Sequence, residues 1–224
     1  ATYLFFFTDS RGFTTGQASI LLATYFLAGI VGAPLMGRLA MRISKHRTVM
    51  VATTLYSLTL VSLIAVPKGN LMVAIIPLFI AGVMASGFNL LTRAMTADIA
   101  DEIRLEHGKE RSGLLYAITT MTSKIAGAFS IGLTFFVLSK VGYDAAEGAR
   151  NTAQAIHNLE LVFLVGPVVF VMLGGACMIG YGLDAIRHAD IRRQLDARDA
   201  LYDEAPIVES LTGEAAIASL PPRE

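Results

Sequence analysis

Five apolar stretches limit this chain more than any other feature. They run from about Gln17 to Gly37, Thr48 to Val66, Leu71 to Ala97, Gly113 to Val141 and Leu159 to Leu183. A helix rises about 1.5 Å per residue, so about 20 residues cross a hydrocarbon core about 30 Å thick. Backbone N–H and C=O groups find no water inside that core, which excludes open strands. Each stretch therefore predicts a spanning helix, and the chain is expected to be an all-α membrane protein. Composition agrees, with 54% hydrophobic and only 16% charged residues, against about a quarter charged in soluble domains.

The chain opens on a further apolar run, Tyr3–Phe7, after Ala1. The seven residues from Ala1 to Phe7 are too few to span, and no basic region precedes them, so this is not a signal peptide. It reads as the outer end of a truncated helix, and the chain is expected to be a fragment: a bundle over residues 1–183, then a tail over 184–224. The tail is expected to form a charged surface helix followed by disorder from Ala205, with no role beyond orientation and solubility.

Basic residues predict orientation. The loops after the first, third and fifth spans hold Arg38, Arg42, Lys45 and Arg47, then Arg104, Lys109 and Arg111, then Arg187, Arg192, Arg193 and Arg198. The opposite side holds only Arg11, Lys68, Lys140 and Arg150. The positive-inside rule then places the C-terminus in the cytoplasm of a multi-pass cell (inner) membrane protein. The net formal charge of zero offers no argument for nucleic acid. Cys177 is expected to be a buried structural thiol. Ala28/Gly32, Gly29/Ala33 and Gly82/Ser86 recur at the spacing that lets membrane helices approach closely. Pro34, Pro77 and Pro167 are expected to kink their spans.

One charge interrupts the fourth span. Lys124 lies about 11 residues from Gly113, or about 16 Å in, near mid-membrane. An ammonium facing lipid there costs at least about 2.5 kcal/mol, so it should face a protein interior or a wet cavity with an acidic partner. Tyr116, Thr120, Lys124 and Ala128 recur every four residues and share a helix face. Asp98, Asp101 and Glu102 sit at the cytoplasmic mouth of the third span, with Arg93 nearby. They read either as a solvated helix end or as a gate pairing with cations of another bundle. His107 reads as solvated, and Glu160 as interfacial.

Two motifs carry a resemblance. Gly37, Leu39, Ala40, Arg42 and Lys45 match the Gly-x-Leu-Ala-Asp-Arg-x-Gly-Arg/Lys loop of the major facilitator superfamily, with Met41 at its aspartate and Ser44 at its second glycine. The run ADIADE, a short basic loop with Gly108 and Arg111, SGLLYAITTMTSKIAGAFS and the VGY ending at Tyr143 resemble the C-terminal half of the glycoside–pentoside–hexuronide:cation symporters. That resemblance implies the C-terminal six-helix bundle of a major facilitator transporter, with five full spans plus a truncated one, and a missing N-terminal six-helix bundle. It implies symport of a small-molecule solute, a sugar, with a monovalent cation, Na⁺ or H⁺, and no other cofactor. It puts Lys124 beside the cation site and Thr120 in the sugar cavity. Thr119 stands at a family glutamine, and Asn89 where a sugar-stacking tryptophan stands in a member of the family. The chain has no tryptophan.

Two other readings remain open on the residues. The solute is amphiphilic or anionic rather than a sugar, or the chain is an intramembrane enzyme with Asp98, Asp101, Glu102 and His107 on a metal. Neither a GxSxG nor an HExxH motif occurs.

Overall fold

A computed structural model describes residues 2–146 and 149–203. A single helical turn, α1 (Tyr3–Phe5), continues as a π-helical turn over Phe6–Ser10. The long helices are α2 (Thr15–Ile43), α3 (Lys45–Ser62, extended by a 3₁₀ turn Leu63–Ala65), α4 (Leu71–His107), α5 (Ser112–Lys140) and α6 (Ala153–Ala176). A polar helix, α7 (Ala185–Asp203), follows. Among the described residues, five helices are long and apolar enough to cross a membrane, as the hydropathy pattern predicts.

Local signals set the boundaries. Thr14 and Gln17 form a reciprocal capping box at the start of α2, which satisfies backbone donors that the first turn leaves free. The side chains of Asn70 and Thr152 cap α4 and α6 by accepting from the N–H groups of Val73 and Ala155. The Thr152 cap corrects the last span. It starts at Ala153, not Leu159, and ends at Ala176 rather than Leu183, with Gly180 at φ +79° in the turns beyond. Cys177 consequently terminates α6 and is exposed, not buried as expected.

The α2–α3 turn explains a motif position. Ser44 is the one described non-glycine residue with positive φ, at φ 80° and ψ 157°. That region is essentially glycine-only, and a side chain there costs about 1–3 kcal/mol. It is also the position at which the loop pattern has glycine. Ser44→Gly is therefore expected to raise stability by about 1 kcal/mol, read as a higher midpoint in a denaturation series. An unchanged or lower midpoint would contradict the strain.

Helices α2 and α4 make the closest crossing. A Cβ on Gly82 would lie 2.1 Å from the Tyr25 carbonyl oxygen, and one on Gly32 would lie 2.6 Å from the Val83 Cα. The small-residue spacing thus does what it predicts, and Gly175 serves α6 against Thr53 of α3 in the same way. The short N-terminal turns are not peripheral. Phe6 and Phe7 have no exposed surface and pack with Phe13, Leu21, Leu63, Leu78 and Leu164, and the Phe6 ring stacks on Phe163 at 4.2 Å. They hold together the end of the bundle opposite the basic turns.

Helix α5 is the exception. Leu138 is its only buried residue. It is anchored near its end by Leu138, Tyr143, Ala155 and Leu159 and near its start by the Tyr116 hydroxyl, which donates to the Arg93 carbonyl at 3.3 Å. Between these points it stands off from its neighbours, with open faces on two sides.

Candidate functional site

The first open face of α5 carries Tyr116, Thr120 and Lys124, which line one depression with Gly113, Ala117, Met121 and Ile125. The four-residue spacing holds as predicted, because α5 is unbroken helix from Ser112 to Lys140. Lys124 stands 12 residues past Ser112 in a helix of 29 residues, about 18 Å along a length of about 44 Å. No carboxylate pairs with it among the described residues. A lone exposed ammonium at that depth is a strong anion-directed feature wherever the lipid does not reach it.

The other predicted lining residues are not all gathered there. Thr119 turns its hydroxyl back onto the carbonyls of Leu115 and Tyr116. Asn89 lies on the opposite side of α5, in a largely apolar cavity of about 910 Å³ among α3, α4, α5 and α6, with Phe88, Phe129 and Ser130. Its amide donates to the Ala85 carbonyl at 3.2 Å. The register of α4 thus points Asn89 away from the Lys124 face, and a single site holding both is not present in this arrangement.

The acidic residues at the end of α4 form a second polar centre. At 37 residues, α4 is about 55 Å long, and its last turns project well beyond a core about 30 Å thick. Asp98 is 5% exposed. Both its oxygens accept from Lys45 Nζ, at 2.7 and 2.6 Å, and His188 Nε2 stands 3.4 Å away. Asp101 is shared by His188 at 3.1 Å and Arg192 at 3.5 Å, and Glu102 pairs with Arg187 at 2.5 Å. In this arrangement these carboxylates are paired within the chain rather than left to solvent. Lys45, the first residue of α3, and three side chains of α7 occupy them. Arg93 is exposed and makes no ion pair with them among the described residues. Burial pushes the Tyr181 phenol up, and the Asp98 and Glu102 carboxylates add to it.

A third cluster ties the opposite end. Glu160 of α6 accepts from the Ser10 hydroxyl and lies 3.3 Å from the Arg11 guanidinium, which is itself buried and sits over the Phe6 ring. Asp9 accepts from the Tyr143 hydroxyl at 2.6 Å. Burial raises that phenol's pKa and the Asp9 carboxylate raises it further, so it remains a donor through the physiological range. Glu160 is a structural partner of the N-terminal turns.

A family model described as MFS/sugar transport protein matches residues 1–185. The chain belongs to that family. It is similar to an uncharacterized symporter of Synechocystis, sll1374, at 34% identity over 122 residues, covering 53% of this chain and 22% of the relative. It is also similar to the uncharacterized symporter YnaJ of Bacillus subtilis, at 25% identity over 176 residues, covering 79% of this chain and 38% of that one. The inner membrane symporter YicJ of Escherichia coli is 26% identical over 152 residues, covering 68% of this chain and 33% of YicJ. The chain therefore spans between about a fifth and two-fifths of the length of these relatives.

As a member of a transporter family the protein is not an enzyme, and the metal-site reading of Asp98, Asp101, Glu102 and His107 falls away. The loop-motif position Lys45 has a structural task as the bidentate partner of Asp98. Sequence reasoning missed α7 as part of this centre. The signal was present: Arg187, His188, Ile191, Arg192 and Leu195 recur at three- and four-residue intervals and so form one basic and apolar face. Asp98, Asp101, Glu102 and Leu105 do the same on α4.

Proposed function

We propose that this chain is the solute-facing bundle of a cation-coupled secondary transporter, that its solute is a sugar, and that the Tyr116–Thr120–Lys124 face lines the translocation path. The observation that carries the reading is Lys124, a mid-span ammonium on an open helix face with no carboxylate from its own chain among the described residues. A counter-charge from a second helical bundle completes such a site, and transporter sites lie near the midplane between two repeats. In this reading the coupling ion is Na⁺ or H⁺, and the basic end of the bundle, with the C-terminus, faces the cytoplasm. Asp98, Asp101 and Glu102 act at the cytoplasmic mouth as a gate whose carboxylates exchange cationic partners.

A second reading has Lys124 bind an anionic solute directly, which the unpaired ammonium also favours. The test is uptake into membrane vesicles of known sidedness containing the complete transporter, with a panel of neutral sugars and their carboxylate counterparts. Accumulation of a neutral sugar that an ionophore collapses supports the first reading. Accumulation of only the anionic members supports the second, and ionophore-insensitive equilibration of every solute overturns coupling. In the same vesicles, with Cys177→Ser as background, cysteines at Arg47 and Lys68 should label from opposite faces, Arg47→Cys from the cytoplasmic one.

A further inference from the structure

We propose that α7 is a strap that holds the basic end of the bundle closed. It fixes the projecting turns of α4 to the α2–α3 turn, and its release is what frees that end to move. Two kinds of contact dock it. Leu183, Ile191 and Leu195 are buried against Ile99, Leu105 and Tyr181, with Leu195 only 1% exposed. Around this seam run the ion pairs of Arg187 with Glu102 and of Arg192 and His188 with Asp101. Arg104 of α4 pairs back onto Asp199 at 2.9 Å.

The end of α4 is held as well as its side. A helix leaves its last four carbonyls without intrahelical donors. The Arg198 guanidinium donates to the carbonyls of Arg104 and Leu105 at 3.1 and 3.5 Å, so α7 reaches the last turn of α4 before the α4–α5 connection. A single carboxylate then joins three elements. Asp98 of α4 meets Lys45, which opens α3 just past the α2–α3 turn, and His188 from α7. Relative movement of α4 and the α2–α3 turn at this end must break the Asp98 pairs or carry α7 along. Exposed ion pairs alone contribute little, but a buried apolar seam flanked by charges on both helices makes a specific, reversible dock. The carboxylates that another cationic segment would need are occupied while α7 is down, so undocking also unmasks them.

Only the link to opening rests on the transport reading, and the experiment separates the two. The protein is reconstituted in lipid with Cys177→Ser and spin labels at Arg47→Cys and Lys109→Cys, which report the separation of the α2–α3 and α4–α5 turns. Leu195→Asp removes the seam, and Arg187→Glu with Arg192→Glu removes the charges without touching it. Trypsin cleavage at Arg193, a residue outside the ion pairs with α4, reads docking, because it tracks the open population when closing is fast. Both variants are expected to be cut at least about tenfold faster than the parent, and their label distances to spread to about twice the parental width. Adding Glu102→Arg to the Arg187→Glu, Arg192→Glu protein should restore part of the protection and narrow the distribution. Equal cleavage of the parent and Leu195→Asp would show that α7 is not docked. Faster cleavage with an unchanged distance distribution would show that it is docked but holds nothing, and either result overturns the proposal. Absence of solute flux in parent and variants alike would count against the transport reading while leaving the strap to the distance data.

Discussion

On the proposed function, Lys124→Ala in the complete transporter is expected to lower coupled solute accumulation by about 100-fold or more while leaving the amount of protein in the membrane unchanged. In that reading Lys124 meets a carboxylate of a second bundle. Removing one partner of such a buried pair costs about 3–5 kcal/mol, because the other charge is left without compensation, and about 1.4 kcal/mol corresponds to a factor of ten. Survival of the protein follows from the geometry. Lys124 lies on the face of α5 that the rest of this chain leaves open, and it makes no ion pair here among the described residues. Its loss removes no packing from this bundle, so insertion and expression of the protein should survive. Lys124→Arg should restore little, since a planar guanidinium does not fit a site shaped for a compact ammonium. The checks are uptake with and without an ionophore, beside immunoblots of the same membranes. Parental accumulation by Lys124→Ala would show that the lysine only reaches an interface or binds helices together.

Gly82→Ala is expected to destabilise the bundle by about 3 kcal/mol, at the upper end of overpacking costs. The added Cβ would lie 2.1 Å from the Tyr25 carbonyl oxygen, 2.9 Å from the Ala28 Cβ and 3.0 Å from the Tyr25 carbonyl carbon. Two of those three atoms are backbone, so no rotamer change relieves the clash, and α2 and α4 have to separate. The loss should propagate, because Gly32, Gly82 and Gly87 all sit at the same crossing. Gly127→Ala on α5 is the control, since nothing lies within 4 Å of its Cβ, and it should be neutral. Denaturant titration of both variants in the same detergent measures the contrast. A Gly82→Ala protein as stable as Gly127→Ala would mean that the α2–α4 crossing is looser than described.

What the residues determine without tertiary information is what depends on short-range chemistry and on the bilayer. Helix number follows from the length of apolar runs, because lipid leaves the backbone no alternative to intrahelical hydrogen bonds. The face shared by Tyr116, Thr120 and Lys124 follows from helical period alone. Close approach at Gly82 and Gly32 was legible from spacing, although which helices meet there was not. The glycine missing at Ser44 was visible as a departure from a motif, and its positive φ supplies the cost.

The tertiary structure decided which faces meet. Asn89 and Lys124 are both polar residues within apolar spans, yet α5 puts them on opposite sides of itself. Only the rotation of α4 relative to α5 determines that, and no local pattern encodes it. The acids of α4 and the basic face of α7 are 85 to 91 residues apart in the pairs they form. Each alone has the composition of a solvated surface, and charge complementarity becomes a contact only once the chain has folded back. The same holds for Phe6 and Phe7, which read as a leftover run but fill the core beneath α6. Burial is a property of the assembled surface, and a run of five apolar residues carries no record of what will cover it.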